Sequence, residues 1–216
     1  STVYRWNRPC YGISPNGKPH LRIENRVMPA GPTTVDEVAN AAFWLGCMIS
    51  MGQHYPDITK QIDFADARDN FLKSAKFGMD TTFSWLKDKK IPVKDLILKE
   101  LLPLAKEGLK MQKVKSSDIS KYLDIIEART TEHKTGARWA LRTFTNLIKD
   151  VTNDEAVTAV TAATIKNQKE NKPVHTWKEA TAKDLENWQP SHIKVEEFMS
   201  TDLFTVQKDD LVALVA

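Results

Sequence analysis

Cysteine is scarce in this chain. Cys10 and Cys47 stand far apart, without the spacing of a metal site or a redox pair. That excludes a disulfide framework and leads us to expect a reduced, cytoplasmic environment. No apolar run reaches the length of a membrane span, and the first residues do not read as a signal peptide, so no membrane is expected among the partners. An excess of one charge is missing as well. The 31 basic and 28 acidic residues leave a net charge of +3, and no Lys/Arg run could track a phosphate backbone, which argues against nucleic acid. His20, His54, His133, His175 and His192 are scattered without ligand spacing, which argues against a histidine metal site. There is no glycine-rich phosphate loop. A nucleotide site here would therefore not be of the P-loop or Rossmann type.

A chain of 216 residues can bury a proper core. Its first thirty residues read as a hairpin: STVYRWNRPCYG, a turn with Asn16-Gly17 at its centre, and a return along HLRIENRV. From Thr34 the period changes to that of a helix, with Thr34 and Glu37 at capping-box spacing and a stripe of Val35, Val38, Ala42, Leu45 and Ile49. A second helix is expected from Phe64 to Lys87, with Phe71, Ala75, Met79, Phe83 and Leu86 inward. A third opens at Pro92, and Pro103 should divide it in two. Ser117, Thr135 and Thr152 cap three further helices, the last ending near Asn171. His133 beside Lys134 suits a helix C-terminus, where cations are favoured. The expected fold class is α+β: a short antiparallel strand pair, the remnant of a larger sheet, with a predominantly helical bundle.

The stretch HLRIENRV carries the chemistry. Leu21, Ile23 and Val27 alternate with His20, Arg22, Glu24 and Arg26, as in a half-buried strand that shows its charges to water. The same order places one carboxylate between two guanidiniums, a set able to hold a divalent metal and polyphosphate oxygens together. Both readings are open on the strand alone.

The longer segment LRIENRVMPAGPTTVDEVANAAFWLGCM resembles the strand–loop–helix signature of the glutamine synthetase and glutamate–cysteine ligase superfamily. Arg22, Ile23, Glu24 and Arg26 match its strand, Pro29 and Pro32 its loop, and Asn40, Ala41, Ala42 and Leu45 its helix. DARDNFLKSAKFGMDTTFSWL, LLPLAKEGL and HKTGARWALRTF are similar to the helical half of the glutamate–cysteine ligase-like carboxylate–amine ligases, and the likeness covers roughly residues 1 to 150. The resemblance implies an ATP- and Mg²⁺-dependent enzyme acting on small-molecule carboxylate and amine substrates. Glu24 would hold magnesium, Arg26 would sit on the transferred phosphate, and Arg22 would lie beside them, contacting nucleotide phosphate or supporting the site. Arg8, in a shorter match that departs after Pro9, would contact phosphate or a substrate carboxylate. The Thr135-Gly136-Ala137 turn reads as an ordinary N-cap with a flexible glycine rather than a substrate contact.

Residues 166–192 read as a connector with a short helix, pinned to a surface by Trp177 and Trp188. VEEFMSTDLFTVQKDDLVALVA is similar to the start of a CBS module, through Val195, Phe198, Met199, Leu203, Thr205, Val206 and Asp209 or Asp210. That likeness implies adenosyl-nucleotide sensing, with Phe198 and Met199 read first as core residues. The expected organisation is thus 1–165 as the C-terminal part of a ligase-like domain, 166–192 as linker and 193–216 as a truncated CBS start. A fragment with two strands would lack the other metal-binding carboxylates and be inactive by itself. A homo-oligomer is compatible with all of this. The rival functions are a non-catalytic sensor or scaffold that keeps the ligase fold, and a helical interaction surface over residues 34–171.

Overall fold

Alternation of period two produces β1 (Asn7–Ile13) and β2 (Pro19–Asn25), which pair antiparallel in the computed structural model. The structure describes residues 7–28 and 30–186. Ser14 N–H donates to Lys18 O at 2.9 Å and Gly17 N–H to Ser14 O at 2.8 Å, with Gly17 at φ 77°. The loop is therefore Pro15-Asn16-Gly17, closed by a residue in the left-handed region that glycine occupies freely. A two-residue turn centred on Asn16-Gly17 would have shifted the register by one and set Glu24 against Pro9. Instead Glu24 lies opposite Arg8, and Arg22 opposite Cys10.

The helical body has two cores. In the first, α1 (Thr34–His54) packs against α4 (Leu102–Met111) and α5 (Ser116–Thr131) around Ala39, Ala105, Leu109, Ile119 and Leu123. The α1 and α4 backbones approach so closely that a Cβ on Gly108 would overlap the Gly46 carbonyl. The α1 cap lies one residue earlier than expected: Thr33 Oγ1 accepts from Asp36 N–H, and Thr34 is already helical. Helix α5 begins at Ser116, so Ser117 is not its cap. Nor does Pro103 split its segment. After α3 (Val93–Leu96) a π-turn over Ile97–Leu101 leads straight into α4, and Leu102 N–H donates to Ile97 O five residues back. This widened turn takes up the proline, whose missing N–H would have broken a regular ladder.

Helix α2 (Phe64–Phe77) stops ten residues short of the expected Lys87, at Gly78 with φ 58°. A second strand pair follows, β3 (Thr82–Ser84) with β4 (Lys90–Pro92). Asn70 explains the anchorage. Its buried amide donates to Ser84 O at 2.6 Å and accepts from Ser84 N–H at 3.0 Å, as a neighbouring peptide would. Phe71 and Ala75, expected inward, are exposed, and Asn70 is the buried residue of α2.

The second core joins α6 (Gly136–Leu147), capped by Thr135, to α7 (Asn153–Lys169), which carries a Thr152–Glu155 capping box. Trp139 and Trp177 meet edge to face at 4.8 Å within it, beside Leu147, Ala156, Ala159 and Val174. Residues 174–180, expected in a connector, thus bury Val174, Trp177 and Ala180 in this core, and α8 (Lys183–Glu186) follows. Trp188 and the CBS-like residues 193–216 lie outside the described residues. Among the described residues no helix is long and apolar enough to cross a membrane.

Candidate functional site

The β1–β2 register brings Arg8, Cys10 and Gly12 onto one face with Glu24, Arg22 and His20. Glu24 is the hub. Its Oε2 accepts from Arg8 Nε at 2.5 Å and from the Cys10 thiol at 3.5 Å, and its Oε1 lies 3.0 Å from Arg26 Nε. Hydrogen bonds from Arg8 and then Arg26 hold the Glu24 carboxyl down to about 2, and Glu24 in turn raises the Arg8 guanidinium above its ordinary value. Both arginines engage Glu24 through Nε. Among the described residues their Nη groups have no other partner, so two forked, fully charged donors are held side by side and open.

Arg22 departs from its expected place. Its Nη1 is 3.3 Å from His20 Nε2, while His20 Nδ1 is 3.2 Å from Ser14 Oγ, so it turns toward the hairpin loop. It makes no ion pair with Glu24 among the described residues. Arg8, Glu24 and Arg26 are the expected residues that come together, and Arg8 closes the carboxylate at the shorter distance. Gly12 leaves room for the ends of the Arg22 and His20 side chains, which a Cβ would push aside.

The apolar side of the hairpin faces outward, contrary to the half-buried strand expected. Leu21 is 81% and Ile23 69% exposed, next to exposed Tyr11 and Ile13. Ion pairing lets the charged side chains cover one another, so Arg8, Cys10 and Glu24 are the more sheltered residues.

The segment that leaves the hairpin is fixed by contacts that sequence inspection missed. Gly136 is bare because a Cβ there would come within 2.6 Å of Pro32 Cγ. Gln168 Nε2 donates to Pro32 O at 2.9 Å, and Val35 N–H donates to Asn171 Oδ1 at 3.2 Å. Asp36, fully buried, accepts at Oδ2 from Thr33 Oγ1 at 2.8 Å and from Val174 N–H at 3.0 Å. Its Oδ1 faces Arg129 Nη1 at 3.5 Å, and Arg129 Nη2 donates to Asn40 Oδ1 at 2.6 Å. Burial lowers the Arg129 pKa from its ordinary value, and the Asp36 charge opposes that shift. Asn40, matched to the resembled helix, thus supports the loop from below.

A metal ion on this face would meet a single carboxylate, Glu24. Among the described residues no group of three or more His, Cys, Asp and Glu side chains could hold an ion. Magnesium is commonly bound by one or two carboxylates with substrate phosphates and water, so an ionised Glu24 fits Mg²⁺ only in company with a polyphosphate. The Cys47 thiol donates to Leu101 O at 3.4 Å, and burial pushes it up to about 12, which disfavours the thiolate.

Compared with known proteins, the chain matches no family model, no curated protein and no solved structure.

Proposed function

We propose that this chain carries the phosphate-handling strand pair of an ATP- and Mg²⁺-dependent carboxylate–amine ligase of the glutamate–cysteine ligase-like group, working in the cytoplasm. The observation that carries this is the Arg8–Glu24–Arg26 clamp, an ionised carboxylate that orients two guanidiniums whose outer donors have no other partner among the described residues. Amide formation from a carboxylate requires a better leaving group than hydroxide, which phosphorylation by ATP provides before the amine displaces phosphate. Bound magnesium, held by Glu24 and polyphosphate oxygens, would supply further neutralisation of the transferring phosphoryl group. Arg8 and Arg26 take the phosphoryl oxygens through Nη, and Glu24 keeps both guanidiniums from swinging away. Arg22 flanks them, where a further nucleotide phosphate would extend. The likeness of residues 193–216 to a CBS start supports adenosyl-nucleotide regulation.

Removing one such preorganised charge contact costs on the order of 3 kcal/mol in the transition state, about a hundredfold in rate. The test is amine-dependent release of phosphate from ATP by the full-length protein, with glutamate and other small carboxylates, comparing Glu24→Gln. Turnover should fall about a hundredfold. Unchanged turnover removes Glu24 from the site. Binding of AMP, ATP or S-adenosylmethionine without any turnover would favour the sensor instead.

A further inference from the structure

We propose a second oxyanion site, independent of the hairpin: the cleft between α6 and the segment 176–179 binds a small molecule bearing a phosphate or carboxylate group. The cleft has a volume of about 390 Å³, within the range of small-ligand pockets. Lys134, Arg138, Arg142, Lys178 and His133 line it, above a floor made by the Trp139–Trp177 pair.

The acids nearby leave this positive charge incompletely answered. Asp80 pairs with Arg138 and is also the charge facing His133, whose buried Nε2 makes no hydrogen bond although Asp80 Oδ1 is 3.2 Å away. Glu179 Oε1 is 3.8 Å from Arg142 Nε, beyond hydrogen-bond reach, and its Oε2 is taken by Asn146 Nδ2 at 2.7 Å. Lys178 has no ion pair among the described residues. Among the described residues that line the cleft, the four permanent cations Lys134, Arg138, Arg142 and Lys178 stand with one carboxylate, Glu179, while Asp80, Glu132 and Asp184 lie outside its lining. Arg138 and Arg142 are also one helical turn apart on α6, a spacing at which like charges repel.

Two of the cations, Lys134 and Arg138, are held in place before any ligand arrives. Lys134 Nζ donates to His175 O at 2.8 Å and to Trp177 O at 2.5 Å, which uses two of its three protons and keeps the ammonium at the cleft. The Trp139 indole donates to Lys178 O at 2.9 Å and fixes the backbone that carries Lys178. A fixed ammonium and guanidinium beside an apolar floor suit a short carbon skeleton with an anionic end, since part of the ordering cost is met in advance.

The test is calorimetric titration of the full chain with inorganic phosphate and, separately, with glutarate at low salt. At least one of the two should saturate the protein at a site whose affinity falls at least fivefold in Arg142→Gln and in Lys178→Gln and which persists in Arg26→Gln, a variant that removes only the hairpin's own phosphate contact. Preference for phosphate or for glutarate identifies the ligand's anionic group. As a measurement that needs no variant, the indole N–H NMR signals of Trp139 and Trp177 should shift during the same titration. The proposal is overturned if neither anion binds, if binding survives both cleft substitutions, if only Arg26→Gln abolishes it, or if those two signals stay still. None of these readouts depends on ligase activity, so the hairpin assignment stands or falls separately.

Discussion

Replacing Asp36 by Asn tests what locks the loop after the hairpin to the helical body. The substitution keeps an oxygen for the Val174 N–H but removes the charge that faces Arg129 at 3.5 Å. Two unit charges at that distance attract by about 5 kcal/mol at an effective dielectric constant of about 20. Arg129 would keep only Asn40 as a partner in a site where its side chain is 11% exposed. Breaking a buried pair from one side typically costs about 3–5 kcal/mol, so we expect a loss of about 4 kcal/mol. Domains of ordinary stability have about 5–15 kcal/mol in total, which keeps the variant measurable by urea unfolding followed by circular dichroism. The double variant Asp36→Asn/Arg129→Met leaves no stranded charge and should recover at least about 1 kcal/mol. A single variant within about 1 kcal/mol of the wild type would refute the network as the lock.

Two further outcomes are expected. The Glu24 carboxyl should titrate near 2 by carbon NMR, and Arg8→Gln should move its midpoint up toward the ordinary 4.5. The clamp then contributes its full stability above about 4.5 and loses it as pH falls toward 2, and an unmoved midpoint in Arg8→Gln rejects the pairing. Gly108→Ala should destabilise by about 1–3 kcal/mol in thermal melts through overlap with the Gly46 carbonyl. Gly52→Ala, with open space around it on the same α1 helix, should instead be neutral or stabilising. Equal melting temperatures for the two variants would contradict that close crossing.

Where a signal was local, the sequence displayed it. Thr135 and Thr152 cap their helices as their positions predict, and the switch from period two to period 3.6 after Pro32 marks the start of α1. In sequence α2 reads too long because Phe83 and Leu86 continue its apolar spacing, and strands of three residues are too short to show a period of their own. Gly78 was the available stop signal. Pro103 misled because a π-turn leaves no mark in composition. At the candidate site, Glu24 and Arg26 are neighbours in sequence, whereas the place of Arg8 depends on a register set by one extra loop residue. The Asp36–Arg129–Asn40 network joins residues up to 93 positions apart, and an aspartate in a helix's first turn looks like ordinary dipole chemistry. Only packing reveals that it is buried.

The central claim is that Arg8 and Arg26, held by Glu24, form an oxyanion receptor for ATP phosphates. Its most direct test is calorimetric titration of the protein with Mg²⁺-ATP, comparing the wild type with Arg8→Gln and Arg26→Gln. Binding should weaken at least tenfold in each variant and remain unchanged in Arg142→Gln. Equal affinity in the wild type and both hairpin variants would contradict the claim.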